Sequence, residues 1–156
     1  MTDPLVRRTL EEPASDEAIE NLHVLLDQLW LDAAFVPALD QMAFTTAVIE
    51  AASNVVQHGV PADGATLLLG VELSVETERL RAVISEIGAA EIDPIPDLDG
   101  PLPAIETPED DGDLLEDFDE SGRGLDMIRA LVTTVTVERQ GETNIWVLSR
   151  DSAPGA

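Results

Sequence analysis

Residues 65–87 read ATLLLGVELSVETERLRAVISEI, and the spacing inside this stretch decides the fold class. Two aliphatic-rich runs, 65–75 and 79–87, are parted only by Glu76, Thr77 and Glu78. A gap that short closes an antiparallel hairpin. Downstream, TVTVERQGETNIWVLSR (134–150) alternates in the same way and predicts a second hairpin turning at Gln140 and Gly141. Upstream, VRRTL (6–10) is a weaker strand, expected to end at the EEP that follows.

Helical spacing fills the remainder. Ser15 is a candidate N-cap, with Asp16 and Glu17 in the first turn and Ile19, Leu22, Leu25, Leu26 and Leu29 recurring through Trp30. After a link containing Pro37, the segment from Leu39 to about His58 carries Met42, Ala43, Ala47, Ile49, Ala52 and Val56 without a breaker until Gly59 and Pro61. In SGRGLDMIRALV (121–132) the glycines introduce a third helix with Leu125, Ile128, Leu131 and Val132 on one side. Between Ile95 and Ser121 stand eleven acids, four prolines and no basic residue, which predicts a mobile loop over about 93–121. The order strand, helix, helix, two strands, loop, helix, two strands implies an α+β two-layer sandwich, a mostly antiparallel sheet with helices on one face. One domain is expected over 1–150, with 151–156 a disordered tail.

Composition narrows the function. The 156 residues hold 8 basic and 32 acidic side chains, a formal charge of −24. Such a chain is repelled by nucleic-acid backbones and anionic membranes, so no direct nucleic-acid or membrane contact is expected. An apolar content of 44% suffices for one core. No apolar run is long enough to span a bilayer and MTDPLVRRTLEEP has no secretory apolar region, so a cytoplasmic location is expected. Cysteine is absent, which excludes disulfides, zinc knuckles and thiol nucleophiles. Every basic residue is arginine, and without lysine there is neither a Walker-type phosphate loop nor Schiff-base chemistry.

Three short constellations carry chemistry. In IEAASNVVQH (49–58), Glu50, Asn54 and His58 follow at spacings of four and drift only about 40° per step, forming one polar stripe on an apolar helix. A carboxylate there can act as general base and an amide oxygen can complete a Mg²⁺ shell, although the stripe can equally face solvent. In SEIGAAEI (85–92) a strand ends in Glu86, with Gly88 two residues on: the acid can accept from an exocyclic amine, and the glycine lets a flat base approach. An acid–x–Gly strand terminus is the plainer reading. In ESGRGLDMI (120–128), Gly122 and Gly124 stand before a helix whose free N–H groups suit an anion, with Arg123 between them; a glycine turn into a helix is the alternative.

Taken in order, Glu50-x₃-Asn54-x₃-His58, Glu86-x-Gly88 and, after a long loop, Gly122-Arg123-Gly124-Leu125 resemble the N, G1 and G2 boxes of the GHKL ATPases, the gyrase, chaperone and histidine-kinase superfamily. The resemblance spans about residues 7–150. Phrases such as AVIEAASNVVQHG and SGRGLDMIRALV look most like the bacterial anti-sigma factors that are also serine/threonine-protein kinases. It implies the Bergerat ATP-binding fold, with ATP and Mg²⁺ as cofactors. The residue matching Glu50 would be the catalytic base, Asn54 would hold Mg²⁺ and Glu86 would bind the adenine amine. Gly88 would let the base pack, while Gly122, Arg123, Gly124 and Leu125 would line the phosphates under the 93–121 lid. Thr143 matches a position that supports the adenine site, and His58 takes a structural role; His23 receives none. The chain departs from the family's pattern: the adenine-binding acid is ordinarily aspartate, Ala90 replaces the second glycine of that box, Asp93 falls one position later than expected after it, and the lid is extremely acidic.

The resemblance further implies a homodimer that sequesters a sigma factor and phosphorylates a serine or threonine on an anti-anti-sigma (STAS-type) protein. Glu86 and the acidic loop motivate a second reading, a binding module of the same fold that regulates by partner capture alone.

Overall fold

The computed structural model describes residues 4–92, 96, 98 and 120–152, with the side chains of 120–123 not among them. Most of the expected loop, and the tail from 153 onward, lie outside the described residues. The elements run β1 (Val6–Pro13), α1 (Asp16–Asp32), α2 (Ala38–His58), β2 (Leu68–Val75), β3 (Arg79–Ile87), α3 (Glu120–Leu131), β4 (Thr134–Gln140) and β5 (Thr143–Asp151). The five strands form one sheet in the order β1-β2-β3-β5-β4, with every neighbouring pair antiparallel. This is the expected α+β sandwich.

Alternation along the strands decides which face the helices cover. Leu69, Val71, Leu73 and Val75 of β2, Leu80, Ala82 and Ile84 of β3, and Leu148 of β5 are all buried, and the register sets them side by side on one face. Against them lie Leu22, Leu26 and Leu29 of α1 and Phe44, Ala47, Val48, Ala52 and Val55 of α2. Helix α1 starts where its sequence predicts: the Ser15 hydroxyl accepts from the Ala18 N–H at 3.4 Å, and Asp16 and Glu17 occupy the positive first turn. Trp30 and Phe44 meet edge-on, centroids 6.0 Å apart, while the Trp30 indole donates to Thr45 Oγ1 at 2.8 Å, tying α1 to α2. No helix among the described residues is long and apolar enough to cross a membrane.

Three local expectations shift. Strand β1 does not stop before Glu11 but continues to Pro13, opposite Leu68. It is an edge strand, where proline's missing N–H costs no ladder bond, and Glu12 is occupied by the Asn21 amide at 2.8 Å. The second turn falls on Gly141 and Glu142, with Gly141 at φ 60°. Helix α3 begins at Glu120, so Gly122 and Gly124 lie inside it and do not precede it.

Phe44 is wholly buried between the helices and the sheet. Phe44→Ala is expected to cost about 3–5 kcal/mol of folding free energy, read as a lowered urea midpoint with an unchanged slope.

Candidate active site

The polar stripe on α2 faces another element over most of its length. Glu50 and Asn54 are half-buried, whereas His58, the last residue of α2, is exposed at the helix's negative end. Helix α3 lies across the stripe at Gly124, which is buried. A Cβ placed on Gly124 would stand 2.5 Å from Glu50 Oε1 and 3.1 and 3.3 Å from the Asn54 amide atoms. Glycine here lets α3 come close against the Glu50 and Asn54 side chains, a different reason from the turn read in the sequence. Residues some seventy positions apart converge on one spot. Because α3 starts at Glu120, the amides without an intrahelical acceptor are those of its first four residues, Gly122 and Arg123 included, and Leu125 follows half-buried. The Arg123 side chain lies outside the described residues.

A second cluster forms where β3 ends. Glu86 points to the helix-covered face in line with Leu80, Ala82 and Ile84, and is 8% exposed. Its Oε2 accepts from Asn144 Nδ2 at 2.9 Å; the same Nδ2 donates to the Ala90 carbonyl at 2.8 Å, and Arg139 Nη1 donates to Asn144 Oδ1 at 2.9 Å. The Trp146 indole favours the ionised form of Glu86. Burial pushes the Glu86 carboxyl above its ordinary range, against the opposing pull of Asn144, Trp146 and the Arg139 charge.

The turn after β3 is pinned from both sides. Gly88 has φ 74°, and a Cβ on it would lie 3.0 Å from the Thr66 carbonyl, so the position accepts glycine alone without strain. Ala62 N–H donates to the Gly88 carbonyl at 2.9 Å, Ala90 N–H to Val60 at 2.7 Å, and Ala89 N–H to Glu142 at 2.8 Å. These bonds bring the chain leaving α2 and the β4–β5 turn to the end of β3. The two clusters thus share one end of the sandwich. An open groove lined by Glu76, Glu78, Arg79 and Asp151 lies at the opposite strand ends and contains none of these residues.

Thr143 is not brought to Glu86. It pairs with Ile87, one step out of register with the Glu86–Asn144 pair, and so belongs to the other face of the sheet. Asn144, Trp146 and Arg139 are the neighbours that the sequence reading missed. The signal available was period two: counting back from Leu148 through Trp146 places Asn144 inward.

With the geometry described, comparison with known proteins is informative. The sequence description of the histidine kinase-like ATPase domain matches residues 13–149. The chain belongs to that family. No curated protein sequence matches it significantly. Among solved structures, the crystal structure of the RsbU and RsbW domains of Rv1364c from Mycobacterium tuberculosis is similar at a TM-score of 0.57 and 18% identity, covering 96% of this chain and 33% of that one. At that identity the likeness concerns the fold, and the chain spans about a third of that neighbour's length.

Two outcomes test this histidine kinase-like domain's site. In an unobstructed helix, glycine to alanine gains about 1 kcal/mol. Gly124→Ala is expected to lose stability instead, and the loss should shrink in a Glu50→Ala background, giving a non-zero coupling in a double-mutant cycle. A Gly124→Ala protein more stable than wild type would show that α3 does not rest on Glu50. The second concerns pH. With a folded pKa above the unfolded 4.5, Glu86 contributes stability that is complete below about pH 4.5 and lost as pH rises through its folded value. Glu86→Gln lacks that loss, so urea unfolding between pH 5 and 8 should show the variant gaining on wild type as pH rises.

Proposed function

We propose that this chain binds Mg-ATP and acts as an anti-sigma factor with serine/threonine-protein kinase activity. The observation that carries the reading is the meeting of Gly124 with Glu50 and Asn54, since the resemblance assigns exactly these residues, distant in sequence, to one phosphate-and-metal site. Family membership supports the nucleotide, and the likeness to anti-sigma kinases in the boxes supports the partners: a sigma factor to hold and an anti-anti-sigma protein to phosphorylate. A homodimer is part of the same proposal.

The donor set suits the cofactors. A carboxylate, an amide oxygen and helix-start amides are hard, oxygen-directed or anion-directed groups. Among the described residues no three acidic or histidine side chains gather to hold a metal alone, so a Mg²⁺ at the Asn54 amide oxygen would draw its other oxygens from phosphates and water. Bound there, it would neutralise charge on the transferring phosphoryl group. Glu50 orients the acceptor hydroxyl and takes its proton, and the first amides of α3 hold phosphate oxygens. The close approach of Gly124 to Glu50 Oε1 means that a nucleotide entering here displaces the Glu50 side chain or the start of α3.

One observation favours the second reading, partner capture without catalysis. The Glu86 carboxylate already accepts from Asn144, and α3 already covers Glu50. Titration with ATP, with and without Mg²⁺, followed by Trp146 fluorescence, separates the two. Saturable, Mg-dependent binding is expected, with Asn54→Ala losing the Mg dependence. Glu50→Ala is expected to keep nucleotide but abolish phosphoryl transfer to a serine-bearing partner; undiminished transfer would remove Glu50 from its role. No binding at millimolar ATP would leave capture as the function.

A further inference from the structure

Glu86, Asn144 and Arg139 are direct register partners on three adjacent strands, β3, β5 and β4, and form one polar row on the helix-covered face. The row has a direction. A guanidinium only donates, so Arg139 fixes the Asn144 amide with its oxygen toward β4 and its nitrogen toward β3. Both hydrogens of that nitrogen are then committed, one to Glu86 and one to the Ala90 carbonyl. Asn144 has no donor left for a ligand. What it does is hold the Glu86 carboxylate and the turn after it in a fixed relation.

We propose that Asn144, oriented by Arg139, is a positioning residue that makes the Glu86 site choose an amino-bearing purine edge over an oxo-bearing one. The proposal rests on the reading of Glu86 as the acceptor for the nucleotide base. An ionised carboxylate only accepts hydrogen bonds, so it pairs with a 6-amino group and repels a 6-oxo group. Burial works against the ionised form, while the Asn144 donor, Trp146 and the Arg139 charge sustain it. Without Asn144, Glu86 is free to turn and to carry a proton, and a carboxylic acid can donate to a 6-oxo group. The consequence reaches the aspartate that usually occupies this position in the resembling family: Glu86→Asp by itself withdraws the carboxylate from Asn144 and leaves a buried amide hydrogen unpaired.

Adenosine and inosine triphosphates differ at the 6 position of the base, amino against oxo, and serve as probes. Dissociation constants for both are measured on the full chain for wild type, Asn144→Ala, Arg139→Met and Arg139→Lys. Wild type is expected to prefer ATP by about tenfold or more, as a polar site does against an analogue lacking the matching group. Asn144→Ala and Arg139→Met should bring the ratio to within about threefold, and Arg139→Lys, which keeps a donor, should restore it. A purely structural role would weaken both nucleotides together and leave the ratio alone, which overturns the proposal; so does an Arg139→Met protein that discriminates like wild type, the outcome that decides should Asn144→Ala not fold. If wild type binds neither nucleotide, the base-acceptor reading falls and the proposal with it. If it binds and discriminates while the variants do so equally, only the proposal falls.

Discussion

Helix α2 works under two constraints at once, and the arrangement follows from their compatibility. One side must pack into the core beneath, which Phe44, Val48, Ala52 and Val55 achieve with aromatic, branched and small apolar groups. The other must meet α3 while keeping Glu50 and Asn54, polar groups that cannot be buried without partners. Both are satisfied because α3 approaches at a glycine, where backbone comes against the polar atoms with no side chain between. A methyl group at position 124 would push the Glu50 carboxylate aside from its observed place. The site is therefore a consequence of how the helical layer closes on itself.

Charge is distributed with the same economy. In a chain at −24, arginines serve as ties between elements. Arg150 reaches Asp40 at the start of α2 through Nε at 3.0 Å and Nη2 at 2.9 Å, and donates to the Leu131 carbonyl at the end of α3; Ser152 completes Asp40 at 2.9 Å. Arg8 pairs with Asp32 at the end of α1, and Arg139 with Asn144. The planar fork of arginine suits such junctions better than a point charge on a flexible stem. Pairs such as Arg7 with Glu72, both exposed, add little to stability. The row from half-buried Arg139 through buried Asn144 to Glu86 is of another kind, because an unpaired Asn144 or Glu86 there would carry the full cost of desolvation.

How far the sequence reaches depends on whether the deciding interaction is local. The Ser15 cap, the α1 stripe and the β2–β3 hairpin were legible because each depends on residues within one or two turns of each other. The end of β1 was not: Glu11 to Pro13 look like a breaker until the strand is known to lie at a sheet edge. Gly124 was recognised as special for an insufficient reason, since only α2 explains it. Thr143 and Asn144 differ by one residue, and in a strand one residue is the difference between two faces.

Helical and strand periodicity, the caps and turns, and the order of Glu50, Asn54, Glu86, Gly88 and the 122–125 segment belong to the sequence by itself, because backbone propensity and hydrophobic spacing act over short range. The sheet order with β5 between β3 and β4, the contact of Gly124 with Glu50, and the row from Arg139 through Asn144 to Glu86 belong to the tertiary structure. Each joins residues far apart along the chain, and their meeting is settled by which faces can be buried together and which polar atoms then find partners.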